Sequence, residues 1–222
     1  MRILYHLWMS PECRKVRVVL HEKQIDFQLQ AENIHERRPD FMALNPAGEI
    51  PVLVESDGTT ISGSSAITEY CDEVFSSPSL IGNQALGRAE VRRLVHWFDC
   101  KFNREVTDNL VVEKLTKRYL GHGEPVGAAV RAGHANIHHH LDYIGFLIER
   151  RRWLAGDYFS LADIAAASHL SVVDYLGDVP WLEHVAAKDW YARIKSRPSF
   201  QPILEDRIPR IPSQINYSNL DF

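Results

Sequence analysis

Residues 45–69 read NPAGEIPVLVESDGTTISGSSAITE. Asn45-Pro46-Ala47-Gly48 is turn chemistry, since Asn, Pro and Gly each favour a chain reversal for their own reason. An Ile50-Pro51 step leads into the apolar run Val52-Leu53-Val54. Asp57-Gly58 tolerates the positive φ of a tight hairpin turn, so a second short strand, Thr59 to Ile61, is expected to return beside the first. Gly63-Ser64-Ser65-Ala66-Ile67 then reads as a helix start. The order is turn, strand, hairpin, strand, helix N-terminus. A helix N-terminus carries unpaired N–H groups and partial positive charge, which suits a carboxylate.

Upstream of this stretch, Met1 to His6 reads as a strand. Pro11 to Lys23 reads as a helix capped by Ser10, with Pro11 at the first helical position. Ile25 to Ala31 alternates as a strand does. Glu32 to Leu44 is polar and irregular, with a short helix ending near Asn45-Pro46. With the helix Ser64 to Phe75, the order is β-α-β-α-β-β-α, which predicts a thioredoxin-like sheet with helices on both faces.

Ser76 to Gly87 is rich in chain breakers and reads as a linker. After it the period changes. Val91, Leu94, Val95, Phe98 and Phe102 fall at helical spacing, Gly121 to Pro125 interrupts, and Ile137, Leu141, Ile144 and Ile148 mark a second long amphipathic helix. Ser160-Leu161-Ala162-Asp163 is a capping box opening a helix through Ala165-Ala166-Ala167, whose small side chains admit close neighbours. Val185 to Lys195 is a further helix, stopped at Arg197-Pro198. The expected division is a thioredoxin-like unit over 1–77, a linker over 78–87, an all-helical unit over 88–205 and an extended tail over 206–222.

The chain has 222 residues, a formal net charge of −4 and 45% hydrophobic residues, so it can form a real core and has no basic excess for sequence-independent nucleic-acid binding. Its three cysteines, Cys13, Cys71 and Cys100, are scattered as reduced thiols are. No apolar run approaches the ~20 residues of a membrane span, and no signal-peptide pattern opens the chain. The expectation is a cytoplasmic protein with no membrane insertion.

Ser10 is the first candidate catalytic group. At a helix N-terminus, a hydroxyl donor and oriented N–H groups stabilise a developing anion; capping alone is the competing role. Cys13, one turn on with Arg14 and Lys15 beside it, is the alternative, either as a reactive thiol or as an inert helical one. Tyr5 packs. His134, His138, His139 and His140 form the densest histidine group. The i, i+4 pair is compatible with a metal, but no further ligand follows at suitable spacing, so no metal is assigned. Arg150-Arg151-Arg152 suits the negative end of a helix dipole. Trp181, Trp190, Tyr175 and Tyr191 belong to the core, whereas Trp8, just before Ser10, is a candidate contact aromatic.

The Pro51 turn, the two-domain order and the box Ser160 to Asp163 resemble the glutathione S-transferase (GST) family over roughly residues 1–205. That resemblance implies an α/β N-terminal thioredoxin-like domain joined to an all-α C-terminal domain, with glutathione in the first. It implies a cis peptide before Pro51, Ile50 pairing its backbone with the cysteinyl residue, and Ser64 receiving the γ-glutamyl carboxylate. By its spacing to Arg17, Ser10 matches the serine or cysteine that several classes use to hold the thiolate. Two positions depart from the pattern. Glu49 stands where many members carry Lys or Arg, and Gly63 replaces the Glu of a Glu-Ser pair. Losing one charged hydrogen bond costs ~1.5–3 kcal/mol; Asp72 or Glu69 are the nearby acids that could compensate. Glutathione is therefore expected as a substrate or weak ligand and not as a required cofactor.

The tail reads DRIPRIPSQINYSNLDF, in which Pro209 and Pro212 forbid a continuing helix. Its apolar points Tyr217, Leu220 and Phe222, with Asp221 between the last two, look like a short anchor that folds back or docks a partner. With RRRWLAGDYFSLADIAAASHLSVVDYLGDVPW before it, this ending is similar to a GST-fold group of alphaproteobacteria that includes a division protein binding filaments of the tubulin-like FtsZ. That likeness implies a homodimeric scaffold whose partner contacts include Trp8, Tyr217, Leu220, Asp221 and Phe222. Glutathione conjugation or thiol transfer to an electrophile is the alternative.

Overall fold

A four-stranded sheet in the order β2-β1-β3-β4 opens the chain. Its strands are β1 (Arg2–His6), β2 (Phe27–Ala31), β3 (Val52–Val54) and β4 (Thr60–Ser62). The structure is a computed structural model and describes residues 1–209 and 211–220. β1 runs parallel to β2 and antiparallel to β3, which pairs antiparallel with β4. The helices of this half are α1 (Pro11–Glu22), α2 (Pro39–Leu44) and α3 (Ser64–Val74). β2 starts later than the alternation predicts. Gln24 takes a positive φ of 55° and Ile25 N–H bonds Leu20 O, so Ile25 closes the turn after α1.

The second half is helical. α4 (Ala85–His96) continues without a break into a π-wound stretch (Trp97–Thr116) and a last turn, α5 (Lys117–Leu120). Within that stretch Phe98, Phe102, Val106, Leu110 and Leu115 are all buried, at steps of four, four, four and five. An α-helix turns every 3.6 residues, so those steps would rotate such a stripe off the core. The wider i→i+5 winding keeps it facing inward. α6 (Gly127–Ile148) crosses this stretch closely. A Cβ on Gly133 would stand 2.7 Å from Leu110 Cγ, which is why the crossing needs glycine there.

α7 (Leu161–Tyr175) is buried at every residue; α8 (Val185–Lys195) packs against it and the short α9 (Gln201–Leu204) against α1. The capping box forms as its residues predict. Asp163 Oδ2 accepts from Ser160 N–H at 3.0 Å and from Ser160 Oγ at 3.0 Å. Its Oδ1 accepts from Leu154 N–H and from Trp190 Nε1, each at 3.0 Å. Trp181, Trp190, Tyr175 and Tyr191 are core residues.

Tail residue Tyr217 is wholly buried against Tyr175, ring centroids 5.1 Å apart. Its hydroxyl accepts from Arg14 at 2.9 Å. The Arg14 guanidinium, itself fully buried, also donates to Ser171 Oγ (2.8 Å), Trp8 O (2.8 Å) and Asp206 Oδ2 (3.1 Å). Arg17 grips both oxygens of Asp206 at 2.7 and 2.9 Å. The described part of the tail is thus fastened to α1 and α7. Tyr217, expected as a partner contact, serves this internal seat instead. Asp221 and Phe222 lie outside the described residues.

Candidate functional site

Sheet register brings the predicted residues to one end of the first domain. Tyr5 pairs with Val52, so the loop Leu7–Ser10 leaves the sheet where Ile50 and Pro51 enter it. The Ile50–Pro51 peptide is cis. Val52 pairs with Ser62, and Gly63 N–H bonds Pro51 O at 3.1 Å, which sets Gly63 and Ser64 beside the same turn. Asn45 holds that turn from inside, its Nδ2 donating to Glu49 O at 2.8 Å.

Ser10 caps α1. Its Oγ accepts from Cys13 N–H at 3.2 Å. Cys13 is fully buried, and burial pushes its thiol up to about 12. It supplies no thiolate near neutral pH, so the reactive-thiol alternative at this position gives way to the inert one. Trp8 is half-exposed. It stacks edge-on with His6 and lies under the Arg17 guanidinium, 5.1 Å from the ring centroid.

Gly63 is the residue before α3, with φ 89° and ψ 132°. L side chains rarely adopt that backbone, and nothing stands within 4 Å of a Cβ there. Glycine therefore relieves strain at the cost of the carboxylate that a glutamate would bring. A Gly63→Glu chain is expected to lose about 1–3 kcal/mol of stability from backbone strain alone, without steric clash, and to bind glutathione more tightly. Denaturant titration and calorimetry of the same variant measure both halves. The nearby acids do not compensate. Asp72 accepts from Leu80 N–H at 2.7 Å and pairs with Lys23, while Glu69 is bidentate to Arg92 at 2.8 and 2.7 Å.

Three further residues meet at the α1 end of the site, and local pattern does not reveal them. Glu12 is half-buried, and its carboxyl is raised first by burial and then by Asp99 and Glu49, against the opposing pull of Lys15 and His169. Glu49 therefore acts on this side of the site. Lys15, fully buried, is committed to Asp99, whose other oxygen lies 3.4 Å from His169 Nε2. Lys15 is therefore already paired with an acid. An incoming thiolate or carboxylate would meet Glu12 and Glu49 beside a Lys15 already held by Asp99.

Three of the four histidines of α6 have polar partners. His138 Nδ1 lies 2.9 Å from His184 Nε2, His134 pairs with Asp178, and His140 accepts from Trp97 Nε1 at 3.0 Å while facing Glu105. Among the described residues no group of three His, Cys, Asp or Glu side chains is placed to hold a metal. A cavity of about 520 Å³ lies against the linker, between Leu80, Ile81 and Phe159, and contains none of Ser10, Ile50, Pro51 or Ser64. No described helix is long and apolar enough to cross a membrane.

Known proteins match along this architecture. The family described as "Glutathione S-transferase, N-terminal domain" matches residues 9–74, and "Glutathione S-transferase, C-terminal domain" matches residues 128–198. A Caulobacter vibrioides protein named FtsZ-localized protein A is 46% identical, over 100% of this chain and 98% of its own. Glutathione S-transferase 3 of Zea mays is 32% identical, over 89% of this chain and 90% of its own. A crystal structure of a glutathione S-transferase from Rhodospirillum rubrum is 57% identical, with a TM-score of 0.98 and complete coverage of both chains.

Proposed function

Because the chain belongs to the glutathione S-transferase family, we propose that it uses that fold as a cytoplasmic, homodimeric scaffold binding FtsZ filaments in cell division. The observation that carries this reading is the acidic, partly dismantled glutathione region. Gly63 offers no carboxylate, Asp72 and Glu69 are engaged elsewhere, and Glu49 and Glu12 share the α1 side. A site held to glutathione would place cations there, because a carboxylate is stabilised by charge-assisted bonds and opposed by like charge. The full-length likeness to a protein named for its FtsZ localisation supports the partner.

The partner contact in this reading is made by Trp8 and by residues of the tail. Arg17 lies over Trp8 and clamps Asp206, and Leu220 packs partly against the core. Trp8, Leu220, Asp221 and Phe222 are the contact residues, with Tyr217 as their internal anchor. Fold alone does not choose between scaffold and enzyme, so the test is direct. The protein should pellet with polymerised FtsZ at micromolar concentration, and a protein left wholly in the supernatant would sink the proposal.

Conjugation or thiol transfer is the second reading. It rests on the Ser10 hydroxyl at the start of α1 and on the turn that keeps Ile50 and Ser64 together. Submillimolar glutathione binding that vanishes in Ser64→Ala would favour it; no heat at several millimolar glutathione would count against it. In the scaffold reading glutathione is a weak ligand and no cofactor is required.

A further inference from the structure

The loop 7–10, which carries Trp8 and the Ser10 cap of α1, is held by the same two guanidiniums that seat the tail. Arg14 divides its N–H groups between them. On the loop, its Nε donates to Trp8 O at 2.8 Å and its Nη2 to Met9 Sδ at 3.0 Å. On the tail, its Nη1 donates to the Tyr217 hydroxyl at 2.9 Å and its Nη2 to Asp206 Oδ2 at 3.1 Å. The remaining bond runs to Ser171 Oγ of α7 at 2.8 Å. Arg17 repeats the arrangement. It clamps both oxygens of Asp206 while its guanidinium covers the Trp8 ring, 5.1 Å from the centroid. Among the described residues no hydrogen bond or ring contact joins the loop to the tail directly. The two segments meet only through these arginines.

We propose that the tail is a strap with two positions, seated and released, and that its seating sets the order of the loop 7–10 and of the α1 start. A buried charge pair that loses one partner leaves the other with neither water nor counter-ion. When Asp206 and Tyr217 leave, Arg14 and Arg17 cannot stay dry, and their side chains turn toward solvent. Trp8 O and Met9 Sδ then lose their donor, and the Trp8 ring loses the cation above it. The loop keeps a long bond from Ser10 N–H to Leu7 O, 3.3 Å, and the edge contact of Trp8 with His6. An equilibrium coupling is reciprocal, so whatever orders the loop also favours the seated tail. The physical carrier is an element with two arrangements that both sites bias. A partner that captures the tail thereby changes Ser10 and Trp8 without touching them. The inference holds in either reading of the function.

Amide hydrogen exchange, followed residue by residue by NMR on the folded full-length protein, tests the coupling in both directions. Tyr217→Phe removes one acceptor of Arg14 and keeps the ring in its seat. The amides of Ser10, Cys13 and Arg14, which build the α1 start, are expected to exchange about tenfold faster in that chain, as ordinary couplings of about 5–150-fold allow. Trp8→Ala removes the ring under Arg17. It is expected to speed, by a similar factor, the amides of Gln214 and Tyr217, which bond Tyr175 O and Gln214 O in the seated tail. Amides at the centre of α7 should change by much less in both chains. The proposal is overturned if neither substitution is felt in the other segment. It is equally overturned if the α7 amides speed up as much as the loop or the tail, which would make the effect a general loss of stability.

Discussion

An Asp206→Asn chain is expected to lose about 3–5 kcal/mol of folding stability and to expose its last residues to proteases. Two buried guanidiniums, Arg14 and Arg17, share this one carboxylate. Removing one partner of a buried ion pair leaves charge with neither water nor counter-ion, which costs far more than the intact pair contributes. An Asn oxygen still accepts one bond but carries no charge. Urea denaturation measures the loss as a lower midpoint with an unchanged slope, and limited proteolysis measures release of the segment after Leu204. Replacing Arg14, Arg17 and Asp206 together by apolar residues of similar volume should cost less than Asp206→Asn alone. If the single substitution proves as mild as a surface change, within about 0.5 kcal/mol, the network does not hold the tail.

Asp163→Ala should be at least as damaging, by about 4 kcal/mol or more. This carboxylate is fully buried and accepts from Ser160 N–H, Ser160 Oγ, Leu154 N–H and Trp190 Nε1. Each buried donor left without an acceptor costs about 1–3 kcal/mol. Burial raises the Asp163 carboxyl against these donors, so part of the loss is recovered by no longer desolvating an ion. Asp163→Asn keeps the shape but turns an NH2 group toward one set of donors, and should fall between Ala and the parent. Trp190 fluorescence reports the lost indole bond, and far-ultraviolet circular dichroism reports whether α7 still forms. A chain that unfolds at the parent's denaturant midpoint would remove Asp163 from its central place.

The predicted elements that held are those coded by neighbours in sequence. Asp57-Gly58 returns β4 on β3, Ser10 and Pro11 start α1, and Ser160 with Asp163 opens the buried helix. The candidate site was less legible because its decisive pairs are distant in the chain. Lys15 meets Asp99 across 84 positions, and Arg14 meets Asp206 across 192. No local period encodes such pairings. Glu12 is an acid in a helix's first turn, and nothing local links it to Asp99 and Glu49, which act on it from other parts of the chain. Asp72 and Glu69 likewise lost their expected role to Lys23 and Arg92. Phe98 and Phe102 fit the ordinary helical period, and only the later buried positions, through Leu115, show the wider winding.

The clamp on Asp206 also orders events during synthesis. Chains emerge N-terminus first, and domains tend to fold as they appear. Arg14 and Arg17 leave the ribosome early, whereas Asp206 and Tyr217 come near the end. Until then, two guanidiniums that the finished protein keeps dry have no anion to meet. The nascent first half must stay open around α1, with those side chains hydrated, or recruit a temporary acid from elsewhere. The native packing of Arg14 and Arg17 therefore waits for the opposite end of the chain, and a fragment that stops before Asp206 lacks the acid they meet.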